Sequence, residues 1–88
     1  MDTLRGIECF VMAVDGGSIA AAARRLGISA AATSQNVARL ETYLGVRLLT
    51  RTTRSMALTD AGRVYYDKVA QLVHELELAR AAVTDVHQ

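Results

Sequence analysis

The stretch SIAAAARRLGISAAATSQNVARLETYLGVRLLTRTTR, residues 18–54, decides the fold. Ser18 suits the N-cap of a first short helix, and the apolar residues of that helix recur at helical spacing at Ile19, Ala22, Ala23 and Leu26. Gly27 supplies a left-handed end to the helix, and Ser29 caps the next helix at once. So short a turn forces the two helices to cross steeply, which predicts a helix-turn-helix. An ordinary helical hairpin is the alternative.

The second helix, about Ser29 to Leu44, has one apolar side and one small, polar side. Four residues recur at helical spacing and should point inward: Thr33, Val37, Leu40 and Leu44. On the opposite side, short side chains allow close approach to a groove, and amide and guanidinium groups can bond to base edges. We expect this helix to enter the DNA major groove with Ala30, Ala31, Ser34, Gln35 and Arg39 at base edges. A face of this composition also occurs on any solvated helix.

A short hairpin should follow Gly45. Val46, Leu48 and Leu49 predict an apolar strand, residues 56–58 its return, and a polar tip lies between them. Hydroxyl and guanidinium groups hold phosphate oxygens, and arginine also fits a narrow minor groove. We expect contacts to the DNA backbone or minor groove from the tip and the two N-cap serines, namely Ser18, Ser29, Arg51, Thr52, Thr53 and Arg54. The alternative is a solvated turn whose arginines only maintain solubility.

Charge is unevenly distributed along the chain, although the net charge is only +1. Residues 17–58 contain six arginines and one acidic residue, Glu41, for a local charge of +5. Residues 1–16 and residues 59–88 each carry a charge of −2. Positive charge on the proposed DNA-contacting unit and negative charge on its flanks favour one docking orientation. Arg47 or Arg63 could instead pair with a nearby carboxylate.

The last helix should begin at Thr59, an N-cap followed by an acid that suits the helix dipole. Its apolar residues are spaced alternately four and three apart, a heptad seam that a domain this small cannot cover along its whole length. The seam consists of Tyr65, Val69, Leu72, Leu76, Ala79 and Val83, with Val86 beyond them. We expect a homodimer through this helix, in which the second helix of each copy reads one half of an interrupted palindrome. Alternatively, the first half of the helix packs on its own domain and the rest frays.

The first helix, about residues 2–15, should complete the core. Its apolar stripe consists of Leu4, Ile7, Val11 and Val14, with Phe10 beside it. Cys9, the only cysteine, lies among apolar neighbours and is expected as a small core residue rather than a redox sensor.

No sequence pattern indicates an enzyme, a metal site or a cofactor. His74 and His87 do not have zinc-binding spacing. The chain contains no glycine-rich phosphate loop, no nucleophile elbow and no carboxylate pair in a predicted cleft. An apolar run of membrane-spanning length and a signal-peptide pattern are also missing. We therefore expect a cytoplasmic protein with no membrane contact.

Four motifs occur in order along the chain: AAARRLGIS at 21–29, SQNVARLE at 34–41, LGVRLLTRTTR at 44–54 and LTDAG at 58–62. In residue type and spacing they resemble the N-terminal DNA-binding domain of LysR-type transcriptional regulators, over essentially the whole chain. Family members often have proline at the place of Ala31 and an aliphatic residue at the place of Thr33. The missing proline should loosen the first turn of the helix slightly, and the Thr33 hydroxyl can bond to the carbonyl one turn earlier.

The resemblance implies a mainly α fold, a winged helix-turn-helix of three helices and a short β-hairpin wing, followed by a long helix that dimerises in antiparallel fashion. We expect residues 1–58 to form the DNA-binding domain and residues 59–88 the linker and dimerisation helix. The family's effector domain, which binds a small-molecule inducer, is expected to be absent from this chain.

The expected function is sequence-specific binding of double-stranded DNA by a dimer. Two alternatives stay open. One is a protein-interaction module on a helix-turn-helix scaffold, and the other is an architectural protein that binds DNA without sequence preference.

Overall fold

The structure is a computed structural model that describes residues 3–51 and 55–87. These residues form a mainly helical fold with one two-stranded antiparallel sheet, as predicted. In chain order the elements are α1 (Thr3–Gly16), α2 (Ile19–Leu26), α3 (Ala30–Leu44), β1 (Leu49–Arg51), β2 (Met56–Leu58) and α4 (Asp60–His87). We call the β1–β2 hairpin the wing.

The predicted caps fix the start of α2 and both sides of the turn between α2 and α3. The Ser18 hydroxyl accepts a hydrogen bond from the Ala21 N–H at 3.0 Å, and the Ser29 hydroxyl accepts one from the Ala32 N–H at 3.0 Å. Between the two helices, Gly27 has a φ of +71°, a conformation that favours glycine. Because the turn is fixed at both sides, the direction of α3 follows from that of α2.

The inward side of α3 is the predicted one. Thr33, Val37 and Leu40 are fully buried, and Leu44 is half-buried. The Thr33 hydroxyl donates to the Ser29 carbonyl oxygen at 2.9 Å, as the sequence predicts. The hydroxyl on the packing side of α3 is therefore paired within its own helix turn.

Helix α1 is buried over a wider surface than the single predicted stripe. Leu4 is 50% exposed, whereas a continuous run at residues 9–13 is buried. The stripe prediction was wrong in this respect because α1 contacts α2, α3 and α4 and is covered on several sides. Cys9 lies in this run, as predicted, and burial raises the pKa of its thiol.

The wing begins later than predicted. Gly45 and Val46 both donate their N–H groups to the Glu41 carbonyl oxygen, which closes α3, and Val46 is 45% exposed rather than part of a strand. In the strands, Thr50 lies opposite Ala57, and residue 51 lies opposite residue 56. Thr50 and residue 51, which were predicted in the tip, are therefore strand residues.

Helix α4 is joined to the wing at its N-terminus. The Thr59 hydroxyl accepts from the Gly62 N–H at 2.9 Å, as predicted for an N-cap, and donates to the Arg47 carbonyl oxygen at 2.6 Å. The Thr59 N–H donates to the Leu48 carbonyl oxygen at 3.0 Å. The start of α4 and the segment that leads into β1 are thus held together by direct hydrogen bonds.

The first half of α4 packs against the core. Ala70 and Val73 are buried, and the ring centroids of Tyr65 and Tyr66 lie 5.9 and 6.4 Å from that of Phe10. The tilted Phe10–Tyr65 pair and the edge-to-face Phe10–Tyr66 pair add aromatic contacts to the area buried by the helix.

Two polar contacts continue this attachment on the surface. Asp15 accepts a hydrogen bond from the Tyr66 hydroxyl, which raises the pKa of Tyr66 to about 12, and its other carboxylate oxygen lies 2.8 Å from His74 Nε2. Arg25 of α2 forms an ion pair with Glu77 at 2.5 Å. The direction of α4 is therefore tied to both α1 and α2.

No single helix within residues 3–51 and 55–87 is long and apolar enough to cross a membrane. By length and composition, α1 and α2 would qualify only as a pair bent by 120°.

Gly62→Ala tests the junction between α4 and the wing. By helix propensity alone, alanine is about 1 kcal/mol more favourable than glycine within a helix. At this position a Cβ atom would lie 2.0 Å from the Leu48 carbonyl oxygen, so the junction would have to open. We expect the free energy of unfolding to fall by about 1–3 kcal/mol in urea denaturation. A variant as stable as the wild type would contradict this packing.

Candidate nucleic-acid interface

The outer side of α3 is open to solvent along its length. Of the residues predicted to contact base edges, four are exposed and Ser34 is half-buried; the exposed ones are Ala30, Ala31, Gln35 and Arg39. The Arg39 guanidinium lies 3.5 Å from the Asn36 side-chain oxygen, a long contact that leaves it able to reach outward. This side of the helix has small residues at its start and hydrogen-bonding groups further along, which suits entry into a major groove.

One hydrogen bond joins the wing to α3. Arg51 Nη1, in β1, donates to the Ser34 hydroxyl at 2.8 Å, although the two residues are 17 positions apart in the sequence. The structure therefore brings together one residue predicted to contact the DNA backbone and one predicted to contact base edges. A guanidinium has five N–H groups, so Arg51 can keep this bond and still donate to a phosphate oxygen.

The N-cap serines lie where α2 and α3 begin. Ser18 is half-buried and Ser29 is exposed, and each hydroxyl accepts from a backbone N–H. A hydroxyl that accepts in this way still has its own proton to donate. Helix N-termini also carry partial positive charge, so both positions can hold a phosphate oxygen.

The other predicted wing residues, Thr52, Thr53 and Arg54, lie outside the described residues.

The role of Glu41 was not predicted from the sequence. Its Oε2 atom accepts from the backbone N–H groups of Leu48 at 2.7 Å and Leu49 at 3.1 Å, and lies 3.6 Å from the Arg47 Nε atom. The pairing of Arg47 with a carboxylate was one of the possibilities that the sequence left open. The signal that could have identified Glu41 is its position as a lone acid among six arginines.

The predicted seam of α4 divides into two parts. Tyr65 and Val69 are half-buried against the core of their own domain. Further along, the seam residues are exposed: Leu72 is 60% exposed, Leu76 45% and Val83 70%. Exposed apolar residues in a continuous row are typical of a surface that another protein covers.

No group of three or more histidine, cysteine or acidic residues that could hold a metal ion occurs among the residues that the structure describes.

The fold and this surface define a winged helix-turn-helix protein. The chain belongs to the lysR family of bacterial regulatory helix-turn-helix proteins, because residues 4–63 match the model of that family.

Known relatives and solved structures agree with this assignment. The HTH-type transcriptional activator AaeR of Escherichia coli (strain K12) is 42% identical over 88 residues, which are 100% of this chain and 26% of that protein. The chain thus spans about a quarter of the length of such curated relatives. The full-length structure of the Vibrio cholerae virulence activator AphB has a TM-score of 0.85 at 29% identity, over 93% of this chain and 28% of AphB. The crystal structure of the BenM DBD with catB site 1 DNA has a TM-score of 0.77 at 26% identity, over 100% of this chain and 97% of that one.

Proposed function

We propose that this chain binds double-stranded DNA in a sequence-specific manner, as the DNA-binding domain of a LysR-type transcriptional regulator. The observation that carries the proposal is the exposed polar side of α3 beside a wing whose Arg51 is bonded to Ser34 of that helix. The likeness to the BenM DBD, which is solved in complex with DNA, supports it.

The residues have two kinds of role in this proposal. Ser34, Gln35 and Arg39 hydrogen-bond to base edges, and the small side chains of Ala30 and Ala31 allow the close approach that this requires. A second group contacts phosphates or the minor groove and sets the register on the duplex: Ser18, Ser29, Arg51, Thr52, Thr53 and Arg54. Glu41 and Arg47 hold the segment that leads into the wing and do not contact the DNA bases in this proposal.

The binding form in this proposal is a homodimer through α4, on an interrupted palindrome. The exposed part of the seam supports a second copy as partner, because an apolar row of this kind favours a helix with the same pattern. In this scheme residues 1–58 bind DNA and residues 59–88 dimerise. A small-molecule inducer would act through the family's separate effector domain.

The role that we propose is binding, not catalysis, and it places the protein with the bacterial chromosome in the cytoplasm. No small-molecule cofactor is needed for the contacts described above.

The experiment that tests the proposal is a selection of bound duplexes from a random DNA library with the purified 88-residue chain. We expect enrichment of an interrupted palindrome at near-physiological salt. Recovery of DNA without any enriched sequence would favour the architectural alternative. No recovery, together with binding to a protein partner, would favour the interaction-module alternative.

Gln35→Ala should relax base preference in the same selection. Loss of one bidentate contact costs about 1–3 kcal/mol in affinity for the preferred duplex and flattens the preference at one base pair in each half-site. The matched control is Gln71→Ala, because Gln71 is also an exposed glutamine but lies on α4. An unchanged enriched sequence and an unchanged affinity in Gln35→Ala would show that α3 is oriented differently on DNA.

Leu72→Glu should shift the chain from dimer to monomer, since it places a charge in the exposed part of the seam. Leu78→Glu is the matched control, because Leu78 is exposed to 69%, close to the 60% of Leu72, but lies outside the heptad seam. Sedimentation at several concentrations gives both dissociation constants. Equal effects of the two substitutions would contradict dimerisation through this seam.

A further inference from the structure

The single acid within residues 17–58 faces the backbone that leads into the wing. The side chain of Glu41 is only 10% exposed, and its Oε2 atom accepts the N–H groups of both Leu48 and Leu49. The 2.7 Å distance to the Leu48 nitrogen is short for an N–H···O bond, as expected when the acceptor is charged. Glu41 therefore attaches α3 to the first residue of β1.

A second contact attaches the other end of the same strand. β1 runs from Leu49 to Arg51, and Arg51 Nη1 bonds to the Ser34 hydroxyl at 2.8 Å. Ser34 and Glu41 are seven residues apart, so they lie on the same side of α3, about 10 Å from each other along the helix axis. Glu41 and Ser34 therefore link α3 to the two ends of β1, at Leu49 and Arg51.

We infer that Glu41 is a positioning residue for DNA recognition. By holding the start of β1 on α3, it sets the place from which the Arg51 side chain reaches Ser34 and the neighbouring DNA. The inference rests on the DNA-binding function proposed above. It states that the Glu41 carboxylate aligns the wing with α3.

When Glu41 is removed, its electrostatic effect and its positioning effect predict opposite changes in DNA affinity. A negative charge near a phosphate-binding surface opposes binding, so its loss should strengthen DNA affinity on electrostatic grounds alone. If Glu41 positions Arg51, its loss should instead weaken affinity, because Arg51 is no longer held beside Ser34. The sign of the change therefore separates the two effects.

The test is a double-mutant cycle of Glu41→Ala and Arg51→Ala in the 88-residue chain, with affinity for the selected duplex measured at several salt concentrations. We expect each single substitution to weaken binding about tenfold and to reduce the salt slope by about 1, as for one lost phosphate contact. In the Arg51→Ala background, Glu41→Ala should change affinity by less than about twofold, because the contact it positions is already missing.

Asp67→Ala is the matched control for charge. Asp67 is an exposed acid on α4, outside the heptad seam, so its removal changes the net charge by the same amount. We expect equal or slightly tighter DNA binding from this variant. Tighter or unchanged binding by Glu41→Ala, or an equal loss with and without Arg51, would overturn the inference.

Two further substitutions separate reach from charge and decide the question if Glu41→Ala unfolds. Glu41→Gln keeps the length and one acceptor oxygen, whereas Glu41→Asp keeps the charge but is one methylene shorter. We expect Glu41→Gln to keep most of the wild-type DNA affinity and salt slope that Glu41→Ala loses, and Glu41→Asp to keep less. The reverse order would overturn the inference. A wild-type chain without sequence-specific binding would instead overturn the proposed function, and the inference with it.

Discussion

The rest of the structure depends on the capped turn between α2 and α3. Gly27 ends one helix in the left-handed conformation and Ser29 caps the next, so only Ile28 lies between these two positions. With so little chain available, the crossing of the two helices is set by backbone geometry rather than by adaptable side chains. The buried pair Ala22 and Ala23 fits this constraint, because larger residues would separate helices that the turn brings together.

Polar contacts at the edge of the core add to apolar packing where the wing meets α3 and α4. Thr59 joins the start of α4 to the segment before β1, and Glu41 joins the same segment to α3. Hydrogen bonds are directional, so they fix the angle and register of a small wing that buries few residues. Arg51 then comes from a three-residue strand whose position is determined by its neighbours.

Local signals in the sequence predicted the helices well, because caps and apolar spacing act within one element. Ser18, Ser29 and Thr59 all cap the helices that were expected. The start of the wing was predicted too early, since the turn after α3 includes Val46. In the sequence, an apolar residue in a turn cannot be distinguished from an apolar residue in a strand. The Arg51–Ser34 bond connects residues in different elements, and no periodicity or local motif encodes such a pair.

Helix α4 can serve two partners because its two apolar surfaces point in different directions. Val73 is 1% exposed against the core, whereas its neighbour Leu72 is 60% exposed. Consecutive residues on an α-helix are about 100° apart, so a second copy of the chain could cover the Leu72 side without displacing the contacts of Val73. The heptad pattern alone could not reveal this division, since Tyr65 and Val69 belong to the seam and also pack on their own core. Helix α4 would thereby connect the proposed dimer contact to the core that α3 also lines.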